Sequence, residues 1–238
     1  MDWSSYAAVL FDLDGVLTPT AEVHMRAWDE MFNGYLAGIP GQAPYTDADY
    51  FAFVDGKPRY DGVRDMLASR GIALAEGTPE DDPALETVCG LGNRKNDAVT
   101  AVIERDGVTP YPGSVRLVEQ LSAGHHRLAV VSSSKNAKAV LESSGLLRYF
   151  PVIVDGNLAG EESLAGKPAP DTFIRAVSLL GALASESVVV EDAISGVAAG
   201  AAGHFGLVVG VDRGVGRDAL LDAGAHLVVT DLGDLVTR

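Results

Sequence analysis

Six short runs rich in Val, Ile and Leu recur along the chain, and segments of helix length separate most of them. They are AAVLFDLDG (7–15), HRLAVVSSS (126–134), PVIVDG (151–156), SVVVED (187–192), FGLVVGVD (205–212) and HLVVTDL (226–232). Between them lie KNAKAVLESSGLL, DTFIRAVSLLGAL and AISGVAAGAAG. A strand that is apolar on both faces is stable only if both faces are covered. Helices that return the chain between such strands force parallel pairing. The runs therefore predict an α/β fold, a doubly wound, Rossmann-like parallel sheet.

Residues 20–105 interrupt this pattern. They contain a long amphipathic stretch, AEVHMRAWDEMFNGYLAG, and loops rich in Pro, Gly and Asp, with no strong strand run. The expected organisation is a core made of 1–19 and 106–238, with a mainly helical module, 20–105, inserted after the first strand. GTPEDDP (77–83) reads as an exposed acidic loop of that module and receives no function here.

The formal charge of −15 repels the phosphate backbone of nucleic acid and the anionic face of a membrane, so neither is expected as a partner. Any phosphate site has to be a local positive pocket. Cys89 is the single cysteine, which excludes an intrachain disulfide and suits a reducing cytoplasm. The start MDWSSYAAVLFDLDG lacks the basic opening and small-residue cleavage site of a signal peptide, and no apolar stretch is long enough to cross a bilayer. A cytoplasmic protein, monomeric or weakly oligomeric, is expected.

In open α/β sheets ligands bind beyond the carboxyl ends of the strands. The first run ends on Asp12 and Asp14, and the second on Ser132, followed by Lys135 and Asn136. A loop after the third carries Lys167 in AGKPAPD, and the fourth ends on Glu191 and Asp192. Two carboxylates ~4 Å apart repel by about 4 kcal/mol even at an effective dielectric near 20. A hard divalent cation with oxygen ligands offsets this, with a lysine screening the remainder. Such a site suits a phosphoryl group attacked by a carboxylate.

DLDGV, the hydroxyl after VVSSS, the lysine of GKPAPD and VVVED resemble, in order and context, the four motifs of the haloacid dehalogenase superfamily. The resemblance spans the whole chain and places a helical cap domain at the insertion. It implies that Asp12 is the nucleophile and Asp14 the general acid/base, a residue found in the phosphotransfer members and not in the dehalogenase branch. It further implies that Ser132 binds the transferring phosphoryl group, that Lys167 neutralises charge, and that Mg2+ is held by Asp12, the backbone carbonyl of Asp14 and Asp192. Glu191 is either a second ligand or stands behind the ligands.

Three further pieces resemble the β-phosphoglucomutase-like subfamily: AEVHMRAW with His24, VDGKPRYDGV with Arg59, and NRKND with Lys95. That resemblance implies a phosphorylated sugar as substrate, with cap cations gripping a second phosphate and His24 contacting Lys95 or Asp14. It implies interconversion of β-glucose 1-phosphate and glucose 6-phosphate; the alternative is a sugar-phosphate phosphatase of the same superfamily. Lys135 and Asn136 are further candidates for substrate binding, although an Asn at that point can simply cap a helix. Read without the motifs, His24 beside Met25 and Trp28 is a packed or surface residue, and Arg59 and Lys95 are ordinary solvated cations. Pro19, Ala193 and the segment GIALAEGTPEDDP depart from the family pattern, in the hinge, the metal surroundings and the substrate mouth respectively.

Overall fold

The computed structural model describes residues 1–237. Its sheet has six parallel strands in the order β3-β2-β1-β4-β5-β6, with β1 at Ala8–Phe11, β2 at Arg127–Val131, β3 at Val152–Val154, β4 at Ser187–Glu191, β5 at Leu207–Val211 and β6 at Leu227–Val229. The apolar runs of the sequence are therefore the strands. The order reverses between β1 and β4, so the carboxyl ends of these two neighbours flank the crevice in which such sheets bind ligands.

The chain divides into two compact units, one made of Met1–Pro19 with the chain from Val108 onward and the other of Thr20–Gly107. The sheet belongs to the first. One face packs Ala8, Leu10, Ala129, Val131, Val189 and Val208 against helices that contribute Phe173, Val197 and Leu220. Alternation along each strand puts Val9, Phe11 and Val130 on the other face, where the Phe11 ring meets Phe150 edge-on at 6.0 Å. Gly200 supports this packing, because a Cβ there would stand 3.1 Å from the Val189 side chain.

The second unit is helical, and no strand occurs among its described residues. Its three longest helices are α1 (Thr20–Leu36), α2 (Arg59–Ser69) and α3 (Val88–Asp106). Spacing at three and four residues along α1 puts Trp28, Met31, Phe32 and Leu36 on its buried side. Phe32 stacks between Trp28 (5.3 Å) and Tyr45 (4.9 Å) and anchors the unit's own core. Thr87 caps α3 by accepting a hydrogen bond from the Gly90 amide, and Gly107 (φ 68°) ends it.

Candidate active site

The strand β1 ends at Phe11, and Asp12 is the next residue. The chain then turns on Gly15, whose φ of 79° few residues other than glycine adopt cheaply; its amide donates to the Thr18 carbonyl at 2.7 Å. Glycine is needed for room as well. The Asp192 carboxylate, arriving from the end of β4, lies where a Cβ on Gly15 would be, 1.8 Å from Oδ2.

Lys167 is buried and ties the two strand ends together. Its ammonium donates to Asp12 Oδ1 (2.5 Å), Glu191 Oε1 (2.5 Å) and the Val131 carbonyl (3.1 Å) at the end of β2. The other oxygen of Glu191 accepts from the amides of Asp192 (3.0 Å) and Ala193 (3.1 Å). Both Glu191 oxygens thus already have donors, which is how a wholly buried carboxylate is tolerated. The helix that follows, α4 (Ile194–Ala202), has Gly196 in its first turn, and a Cβ at that position would stand 2.0 Å from Glu191 Cδ. Gly196 thus accommodates the carboxylate, whereas Gly200 and Gly203 further along serve packing against Val189 and the Phe205 ring.

Carboxylate oxygens of Asp12, Glu191 and Asp192 come within 4.8 Å of one another, and all three residues are buried. Burial pushes the Asp12 carboxyl well above its usual 3.8; the Lys167 ammonium pulls it back, and the charges of Glu191 and Asp14 push it up again. Burial also works against the Lys167 ammonium, but Asp12 and Glu191 outweigh it and raise its pKa above 10.5. Burial dominates at Asp12 and the two carboxylates at Lys167, and three buried carboxylates around one ammonium leave a deficit of positive charge. A hard cation with oxygen ligands fits this deficit. The side chain of Asp14 is outside the group of three; its Oδ2 lies 3.5 Å from Ser132 Oγ. The hydroxyl of Ser132 accepts from the Ser134 amide at 3.1 Å and donates its own proton toward Asp14 Oδ2.

Of the two residues that follow this hydroxyl, Lys135 is exposed and its carbonyl accepts from Asn157 Nδ2 at 2.9 Å. Asn136 precedes the helix Ala137–Ser143 without a side-chain capping bond, so the capping alternative does not account for it.

In the helical unit, α1 and α3 bring His24 and Lys95 together. Lys95 is 5 % exposed; its Nζ is 2.7 Å from His24 Nδ1 and 4.7 Å from the centre of the Trp28 ring. An ammonium can only donate, so Nδ1 accepts and the neutral imidazole carries its proton on Nε2. Arg59 opens α2. Its guanidinium donates to the amide oxygens of Asn93 (3.3 Å) and Asn96 (2.5 Å), and burial lowers its pKa somewhat. Amides orient a guanidinium without neutralising it.

Two positioning residues were not singled out in the sequence. Arg213 donates from Nε to the Gly15 carbonyl (2.7 Å) and from Nη1 to that of Thr230 (2.9 Å), and lies 4.0 Å from the centre of the Tyr111 ring. It lies two residues beyond the end of β5, within reach of the strand-end rule applied to the fifth run. Asn93 sits inside the NRKND string that drew attention to Lys95.

A family model described as a hydrolase, haloacid dehalogenase-like hydrolase, matches residues 6–204. The chain belongs to this family. A β-phosphoglucomutase of Mycobacterium tuberculosis (strain CDC 1551 / Oshkosh) is 49% identical over 239 residues, an alignment that takes in 96% of this chain and 91% of the relative. A second β-phosphoglucomutase, from Bacillus subtilis (strain 168), is 33% identical over 96% of this chain and 91% of its own length. Among solved structures, a β-phosphoglucomutase from Clostridium difficile superposes with a TM-score of 0.79 at 24% identity, covering 97% of this chain and 93% of that one, a likeness of fold. The family assignment accounts for the convergence of Asp12, Lys167, Glu191 and Asp192 at the strand ends.

Proposed function

We propose that the protein is a Mg2+-dependent β-phosphoglucomutase that interconverts β-glucose 1-phosphate and glucose 6-phosphate through a bisphosphate. The observation that carries this over hydrolysis is the 49% identity to a β-phosphoglucomutase across nearly the whole of both chains. The buried carboxylates with their lysine support phosphoryl transfer itself.

In this reading Asp12 attacks the phosphorus of the bisphosphate. The bond from phosphorus to the sugar oxygen breaks, and Asp14 gives that oxygen a proton. In the reverse step Asp14 takes the proton of the attacking sugar hydroxyl as the phosphoryl group leaves Asp12. Ser132 and the amides after β2 hold phosphoryl oxygens, with Lys135 and Asn136 near the substrate. Lys167 holds Asp12 in place and offsets negative charge as it develops. Asp12, Asp192 and the Asp14 carbonyl would hold Mg2+, which supplies positive charge between the attacking carboxylate and the phosphate. Glu191 stands behind them, because both its oxygens already accept from Lys167 and from amides.

A mutase has to grip two phosphates at once, and on an acidic chain that needs fixed cations. Arg59, held by amides, and Lys95, buried and paired with neutral His24, are the candidates. The natural partner is a small phosphorylated sugar. No helix of the described chain is long and apolar enough to cross a membrane, and the one cysteine is buried; we place the enzyme in the cytoplasm.

The test supplies β-glucose 1-phosphate, Mg2+ and a trace of bisphosphate primer, and follows glucose 6-phosphate and free phosphate separately. Isomerisation with little phosphate release is the expected result. Stoichiometric phosphate without glucose 6-phosphate overturns the mutase assignment in favour of a phosphatase.

A further inference from the structure

The acidic loop 77–83, GTPEDDP, has no part in the chemistry above. We propose that it positions Arg59, through the side-chain amide of Asn93, and thereby sets how tightly the protein grips the phosphate of its sugar substrate. The inference rests on Arg59 being a phosphate-binding residue.

Asn93 lies on α3 and spends both amide hydrogens on this loop. Its Nδ2 donates to the carbonyls of Pro79 (3.0 Å) and Asp81 (2.9 Å). Two carbonyl acceptors on that side settle which way the carboxamide faces, so Oδ1 turns to the other side. There it accepts from Tyr60 Oη (2.9 Å) and Arg59 Nη1 (3.3 Å). Asn96, three residues along the same helix, accepts from Nη2. Loop, carboxamide and guanidinium thus form one chain of hydrogen bonds inside the helical unit.

The loop itself is fastened. Asp81 accepts from Thr87 Oγ1 (2.5 Å) and Thr78 Oγ1 (3.1 Å), and Arg94 Nε donates to the Pro83 carbonyl (2.8 Å). Two glycines of α3 allow the close approaches. A Cβ on Gly90 would stand 2.4 Å from the Leu85 carbonyl, just past the loop, and 3.1 Å from the Asp82 carbonyl within it. One on Gly92 would stand 2.8 Å from the Tyr60 ring and 3.1 Å from the stem of Arg59. The helix is stripped of side chains at the points where the loop and Arg59 lean on it.

The consequence is thermodynamic. An arginine carries roughly 2 kcal/mol of rotamer entropy, and a guanidinium already fixed by two amide acceptors gives up less of it on meeting a phosphate. Both acceptors are neutral, so the positive charge stays available. Loss of the loop's hold should therefore appear in KM, leaving the reacting groups at Asp12 untouched.

The test is a double-mutant cycle on Arg59→Ala and Asn93→Ala. It reads KM and kcat for total consumption of β-glucose 1-phosphate, as glucose 6-phosphate plus free phosphate, with unfolding midpoints measured alongside. Asn93→Ala should raise KM by about tenfold with kcat changed much less, Arg59→Ala should raise it by at least as much, and the double variant should be no worse than Arg59→Ala alone. Asp81→Ala, which loosens the loop and leaves Asn93 in place, should raise KM in the same direction, again only where Arg59 is present; it decides the matter if Asn93→Ala does not fold. If Arg59→Ala leaves KM unchanged, the assignment of Arg59 fails, and the inference with it. If Arg59→Ala raises KM but the Asn93 or Asp81 effect is absent, or adds in full on the Arg59→Ala background, the positioning role alone is overturned.

Discussion

A Cβ on Gly15 would stand 1.8 Å from Oδ2 of Asp192. The turn after the first strand and the carboxylate after the fourth occupy one space, and only a hydrogen at position 15 leaves room for both. Gly15→Ala should cost about 1–2 kcal/mol for its φ of 79°. Displacing Asp192 by even about 1 Å should lower phosphoryl transfer by ~100-fold. Steady-state kinetics with a thermal melt check this; wild-type turnover from Gly15→Ala would remove the steric argument.

Lys167 and Glu191 form a buried pair with Asp12 as the third member. Removing one partner of such a pair typically costs 3–5 kcal/mol, because the other charge is left without compensation. Lys167→Met should therefore abolish turnover and lower stability by roughly that much; Glu191→Gln, whose NH2 must face either the lysine or the amides of Asp192 and Ala193, should also be destabilised and lose most of its turnover. Gly196→Ala, with its Cβ 2.0 Å from Glu191 Cδ, should push the carboxylate off the lysine and resemble Glu191→Gln in kinetics. Denaturant unfolding beside activity distinguishes the three.

The raised Asp12 carboxyl gives the metal-free protein a pH signature. A group whose pKa is higher in the folded than in the unfolded state contributes stability fully below the unfolded value, near 3.8, and loses that contribution as pH rises through the folded value. Metal-free protein should therefore be increasingly destabilised by this site from about pH 4 upward, and Mg2+, which favours the ionised carboxylate, should stabilise it by an increment that grows with pH. Unfolding midpoints with chelator and with Mg2+ across about pH 4–8 measure the increment. A constant increment would mean that Asp12 is ionised throughout.

The contact between His24 Nδ1 and Lys95 Nζ is part-buried, with Lys95 the buried member. Lys95→Met keeps an apolar stem against Trp28 but removes the charge, so the fold should survive. His24→Ala takes one acceptor from the buried ammonium, a loss of about 1.5–3 kcal/mol for a hydrogen bond to a charged group. If the pair serves the second phosphate, both variants should lower the yield of glucose 6-phosphate relative to free phosphate, while Asp12→Asn abolishes both products. Unchanged partition in both variants would make the pair a packing feature.

The sheet was legible in the sequence because its strands are buried on both faces. Such strands read as unbroken Val, Ile and Leu runs, and all six expected runs are strands of one parallel sheet. The site ends of two of those runs, the first and the fourth, were legible for a related reason. A charged side chain directly after an apolar run has to be used or solvated, which singled out Asp12, Glu191 and Asp192. Asn93 was not legible in the same way, because its work is done through hydrogen bonds to backbone carbonyls that no residue type advertises.

The order of motifs thus settled the strands, the family and the carboxylates, since these depend on local apolar periodicity and on residue types that carry charge. Which oxygen each donor reaches came only with the folded chain. Lys167 selecting one oxygen of Asp12 and one of Glu191, Gly15 making room for Asp192, and the loop 77–83 turning the amide of Asn93 toward Arg59 all join residues distant in sequence. Hydrogen bonds fall off over tenths of an ångström, and spacing along a chain carries no information at that scale.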